Sequence, residues 1–171
     1  MFQGLKRRVS DMGVIRALCL DAEAYARKDG QHEPGAEHFV LAAFDLPDGS
    51  ARRAFQRAGG AHEQFEAALA AQHAGALRAI GVTVDVDLEP AIAEPAEGIY
   101  EAAASGRELM QTLAARGQSG DRSPLVGAHV VAAVAAMPRG VVARTLRAMN
   151  VDREMLRLAA IEESGVAGAG R

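Results

Sequence analysis

The chain has 171 residues, 49% hydrophobic but only 4% aromatic, with no Trp and a net charge of −3. That length fits one domain or two small, intimate halves, and a composition led by alanine, leucine, arginine and glutamate is helical. The acidic balance argues against a nucleic-acid binder, and the lone Cys19 excludes a disulfide framework or a cysteine zinc cluster.

The opening, MFQGLKRRVSDMGVIRALCL, has no signal-peptide core, because Arg16 interrupts its only apolar run. No stretch reaches the ~18 apolar residues of a membrane span. The expectation is a cytoplasmic protein without membrane contact. VIRALCLDAEAYARK places Val14, Leu18, Ala22 and Tyr25 on one stripe, which predicts a helix with Cys19 as a small core residue. DGQHEPG is a loop punctuated by Gly30, Pro34 and Gly35. AEHFVLAAFDL is a short, almost wholly apolar helix, so it belongs at the centre. Pro47 stops it, and DGSARRAFQRAG restarts a helix with Asp48 or Ser50 as cap and Gly59 as its end. HEQFEAALAAQHAGALRAI is the fourth helix.

GVTVDVDLEPAIAEP alternates as a short strand would, but its prolines and acidic residues favour a connecting segment. EGIYEAAASGRELMQTLAAR then resumes the helical pattern, and QSGDRSP is a loop. GAHVVAAVAAM is a second short buried helix stopped by Pro138. RGVVARTLRAM restarts, and Asn150 stands where Gly59 stood. Gly and Asn are the residues that most readily take the left-handed conformation ending a helix. DREMLRLAAIEE, with Asp152 as cap, is the last helix, and SGVAGAGR is a fraying tail.

These elements say nearly the same thing twice. Laid on 129–149 without a gap, residues 38–58 match at His38/His129, Val40/Val131, Ala42/Ala133, Pro47/Pro138, Gly49/Gly140 and Arg53/Arg144. About two matches are expected by chance in so alanine-rich a chain. The expected fold is all-α: a tandem repeat of two four-helix units with pseudo-twofold symmetry. Repeat one covers about 10–80, a linker 81–95, repeat two about 96–163, and the tail 164–171. One such unit is marginal alone, and two bury a shared core.

Ala22, Ala26, Gly30, Gly35, Glu37 and His38 give the pattern A-x-x-x-A…G…G-x-E-H before an apolar run. This resembles the amino-terminal domain of the Clp unfoldases, and MFQGLKRR looks like the start of a ClpC-type chain. The resemblance covers about residues 1–163 and is strongest at GAEHFVLAAF. It implies a tandem four-helix fold and a protein-binding role. The ATPase modules of those unfoldases are not here, and the chain has no G-x-x-x-x-G-K-[ST] loop. The resemblance therefore implies a stand-alone, non-catalytic accessory of the Clp protease system without cofactor. Its partners would be Clp ATPase or peptidase subunits, adaptors, or substrate peptides, including arginine-phosphorylated ones.

In ClpC-type domains the glutamate of each G-x-E-H accepts the guanidinium of phosphorylated arginine, and amides at the helix start suit the phosphate. Carried over, Glu37 would hold a guanidinium with Gly35 and Ala36 beside it. Ala128 replaces the second glutamate, so one competent pocket at most is expected. Contacts are expected on the groove between repeats and at the helix starts Gly35–His38 and Gly127–His129, which includes Ala36, Glu37 and Ala128. A carboxylate in a first helical turn is also favoured by the helix dipole alone. His38 and His129 read either as pocket or metal residues or as histidines hydrogen-bonded between the halves; neither has H-x-x-x-H spacing. His32, His62 and His73 read as surface residues. Glu94, Glu97 and Glu101 share a helix face, better suited to solvation than to acid–base chemistry. Arg52, Arg53 and Arg57 form a basic stripe, echoed by Arg144 and Arg147, that suits an acidic partner or a solvated face. Phe39, Phe44, Phe55 and Phe65 are spaced as core residues rather than as a base-stacking platform. The alternatives of another class are a helical DNA-binding regulator and a hydrolase or metal enzyme on a borrowed scaffold.

Overall fold

The computed structural model describes residues 2–79, 102–118 and 123–169. Among them lie eight helices and no strand. In order they are α1 (Phe2–Lys28), α2 (Ala36–Asp45), α3 (Ser50–Arg57), α4 (His62–Ala79), α5 (Ala104–Gln118), α6 (Gly127–Ala136), α7 (Val141–Ala148) and α8 (Arg153–Ala169). The expected connecting segment 81–95 and the carboxylates of Glu94, Glu97 and Glu101 lie outside the described residues.

The sequence signals act where their physics places them. Leu46 and Met137 are extended, as residues before a proline must be, and α2 and α6 stop there. Gly59 and Asn150 both have positive φ, 80° and 55°. Each sits in the same closing bonds: Gly60 N–H donates to Phe55 O and Val151 N–H to Leu146 O, both at 2.9 Å. Two helices run further than their periodicity predicts. Residues 2–13 contain no proline, so α1 begins at Phe2 rather than near Val14. The tail expected to fray continues α8 to Ala169, with the Ser164 hydroxyl returned to Ile161 O at 2.7 Å.

α2 and α6 form the centre. They pack on each other, and α1, α3 and α5 lie against α2 while α3, α5 and α8 lie against α6. From Ala36 to Phe44 every α2 residue is buried. The stripe read on α1 turns inward at Leu18, Ala22 and Ala26, all fully buried, and half-buried Cys19 lies against the same core. Phe39, Phe44, Phe55 and Phe65 are all core residues. Three of them stack edge-to-face: Phe44–Phe55 at 4.9 Å, Phe55–Phe65 at 5.6 Å and Phe44–Phe65 at 5.9 Å. Each such contact adds about 0.5–1.5 kcal/mol to its burial. In the chain's second half the aliphatic Ala135, Leu146 and Leu156 fill the matching positions.

Candidate functional site

The two recurring histidines have the same local task. The Gly35 N–H donates to His38 Nδ1 at 2.9 Å, and the Val126 N–H donates to His129 Nδ1 at 3.1 Å. Each imidazole thus reaches back from the third helical position to the residue before the helix, the role a Glu or Gln plays in a capping box. In the neutral His38 ring, accepting at Nδ1 leaves the proton on Nε2, which donates to Asp29 Oδ2 at 3.2 Å. His129 Nε2 instead faces the Arg116 guanidinium at 3.2 Å and Ser123 Oγ at 3.3 Å. His38 is fully buried and His129 nearly so. Neither lone pair can accept a substrate proton without releasing a backbone N–H.

Around these matching caps the surroundings diverge. At the α6 start, the Gly127 N–H donates to the Asp48 carboxylate at 3.2 Å and the Ala128 N–H to Ser50 Oγ at 2.8 Å. The residue capping α3 is Gly49 rather than the expected Asp48 or Ser50; Asp48 accepts from the Ser50 N–H at 2.9 Å and from the Ser50 hydroxyl, and so ties the α3 start to α6. The approach is tight. A Cβ on Gly127 would stand 2.9 Å from Ala43 O, so only glycine fits. The donors that suit a ligand's phosphate are engaged within the chain here.

The α2 start is different. The Ala36 N–H donates to Ser105 Oγ at 3.1 Å. No oxygen of the described residues accepts from the Glu37 N–H, and the Glu37 carboxylate has no hydrogen bond or ion pair. Yet Glu37 is only 5% exposed. Its carboxylate folds back over Gly35, where a Cβ would stand 2.7 Å from both oxygens. At the matching positions of α6 stand Val126 for Gly35 and Ala128 for Glu37, both buried. Glu37 lines an open cleft of about 590 Å³ with Gln31, Gln72, His73, Val141 and Arg144.

The arginine stripe resolves in the same asymmetric way. Arg53 Nε donates to Glu163 Oε2 at 2.7 Å, Arg57 bonds Glu163 Oε1 at 3.1 Å and also Glu162, and Arg52 lies 3.4 Å from Asp45. The stripe meets acidic groups of the chain's own α8 and α2, and its side chains stay nearly half exposed, as a solvated face would be. Burial alone would push the Glu163 carboxyl upward, but the hydrogen bonds and charges of Arg53 and Arg57 outweigh it and hold it below the usual glutamate range. Burial, with the hydrogen bond to Asp45 at 2.6 Å, pushes the Tyr25 hydroxyl well above the usual tyrosine range. Arg144 has no such carboxylate.

Of the residues expected at a peptide site, Gly35, Ala36, Glu37 and His38 meet at the α2 start, and only Glu37 lines the cleft. Gly127, Ala128 and His129 meet at the α6 start, all buried. Six cleft residues carry no site reading in the sequence: Gln31, Ala71, Gln72, Gly75, Ala76 and Val141. His73 was read as surface, yet it lines the cleft with Nδ1 3.6 Å from Asp29 Oδ2. His62 is half-buried against Phe44, and His32 is exposed. The signal that finds the cleft is the repeat offset applied to partners rather than to helices: Gln72 stands opposite Glu163, and Val141 opposite Ser50. Among the described residues no group of three or more His, Cys, Asp or Glu is placed to hold a metal ion, and no helix is long and apolar enough to cross a membrane. No protein-family model matches the chain, and no curated protein matches it.

Proposed function

We propose that the chain is a non-catalytic peptide-binding module built like the amino-terminal domain of the Clp unfoldases, two four-helix units related by pseudo-twofold symmetry. It acts around the Clp protease, docking on the machine or receiving its adaptors and substrates. The carrying observation is Glu37: a buried carboxylate with no partner at the wall of an open cleft. A desolvated, unpaired carboxylate is costly, and a cationic ligand group offsets that cost. The matched caps at His38 and His129 and the matched helix ends at Gly59 and Asn150 favour the two-unit reading. The committed lone pairs of both capping histidines favour binding over acid–base chemistry.

The ligand class on this reading is a peptide that offers a guanidinium to Glu37, with arginine-phosphorylated peptides as the leading probes. Calorimetric titration with a phosphoarginine peptide should give one site per chain. Glu37→Gln should weaken binding at least about tenfold, since a charge-assisted pair is lost. Unchanged affinity in Glu37→Gln would remove the assignment. Co-purification of Clp ATPase or peptidase subunits with the tagged protein tests the wider role.

A further inference from the structure

The closed end of the molecule shows what the open end lacks. At the α6 start, Ser50 satisfies the N–H of Ala128, and Glu163 satisfies Arg53. Ninety-one positions away the same backbone places hold other side chains. Val141 replaces Ser50 and cannot accept from the Glu37 N–H. Gln72 replaces Glu163 and cannot neutralise Arg144. Ala71 replaces Glu162, which bonds Arg57 at the closed end. All four relevant groups, Glu37, Gln72, Val141 and Arg144, line the one cleft. Arg144 is exposed, and its guanidinium has no hydrogen bond or ion pair among the described residues.

We infer that Arg144 is the anion-binding residue of this cleft, so that its ligand carries a negative group for Arg144 beside a positive one for Glu37. The ligand anion takes the place that the Glu163 carboxylate takes against Arg53. It neutralises a guanidinium that the fold leaves unpaired, while the guanidinium of the ligand neutralises a carboxylate that the fold leaves buried. A cation without a neighbouring anion would leave Arg144 unpaired and be held less well. An anion alone would be repelled by Glu37. Two sources carry this chemistry: a phosphoryl group on the arginine itself, or an acidic side chain next to an arginine in the peptide. The inference rests on the peptide-binding reading above, and names the residue that decides specificity within it.

Three fluorescent peptides, identical except at one place, separate the possibilities by anisotropy. The first carries phosphoarginine, the second arginine followed by aspartate, and the third arginine followed by serine. The protein should bind the first, the second or both at least about tenfold more tightly than the third. Tight binding of the first alone assigns the anion to the phosphoryl group, and tight binding of the second alone assigns it to the neighbouring side chain. Arg144→Gln should abolish that preference, bringing the preferred peptides to the affinity of the third. Glu37→Gln should weaken all three. Gln72→Glu should also abolish the preference, because it gives Arg144 the internal partner that Arg53 has, and it should do so without lowering Tm. A preference that survives both Arg144→Gln and Gln72→Glu overturns the role of Arg144 while leaving the Glu37 site intact. A preference lost in Arg144→Gln with all affinities unchanged in Glu37→Gln leaves the anion site and removes the guanidinium reading. Absence of binding by any peptide overturns both.

Discussion

The starts of α2 and α6 share a backbone and a capping histidine, yet one faces an open cleft and the other is filled. The α6 start is packed with groups from the other half: Asp48 and Ser50 on its amides, with Glu163 across from Arg53 beside them. The α2 start meets Val141, Gln72 and an unpaired Arg144. The capping hydrogen bonds differ by only 0.2 Å. Closure is therefore governed by side chains from other helices, not by the helix that bears the site. Two helix starts with the same cap can in this way differ, one open and one filled.

The comparison can be broken at its shared frame first. His38→Ala removes a fully buried ring and orphans the Gly35 N–H, with an expected loss of about 3 kcal/mol and a fall in Tm of roughly 10 °C. His129→Ala should cost somewhat less, about 2 kcal/mol, because His129 is slightly exposed and its Nε2 faces a guanidinium and a hydroxyl rather than a carboxylate. Thermal denaturation of both variants ranks the two ends, and a larger loss at His129 would reverse the ranking.

The closed end should respond next. Glu163→Gln breaks the bonds to Arg53 and Arg57, at an expected cost of about 1.5 kcal/mol near neutral pH. The folded carboxyl titrates below its unfolded value. Its stabilisation is therefore complete above the ordinary glutamate range, about 4.3, and lost as pH falls through the folded value. The stability gap between parent and Glu163→Gln should shrink towards zero in acid; a gap constant with pH would mean lost packing instead of lost charge.

Smaller effects sharpen the comparison further. Ser50→Ala leaves the Ala128 N–H without its acceptor and should cost about 1 kcal/mol in urea denaturation. The smallest effect belongs to a position where the two halves differ in residue but not in backbone. Asn150→Gly should change stability by no more than about 0.5 kcal/mol, whereas Asn150→Ala should cost about 1 kcal/mol, because only the former keeps the left-handed conformation without strain. Equal costs would show that the Asn150 side chain, not its backbone angle, matters there.

Local rules were enough for much of this. Pro47 and Pro138 ended helices, Gly59 and Asn150 turned them, and the phenylalanine spacing found the core, because each is a short-range constraint on backbone or burial. Glu37 lies in the first helical turn where the sequence puts it. The sequence could not say that the Arg53 and Arg57 stripe already has its acidic partner, since Glu163 lies 110 residues from Arg53. Nor could it say that Asp48 caps a helix 79 residues away, or that His73 belongs to the cleft. Those facts are juxtapositions made by packing two halves together. By itself the sequence determined the helical class and the breaks at Pro47, Pro138, Gly59 and Asn150, because these depend on neighbours along the chain. Only the tertiary structure decided which of the two helix starts is closed, because closure depends on charges and hydrogen-bond acceptors brought from distant parts of the chain.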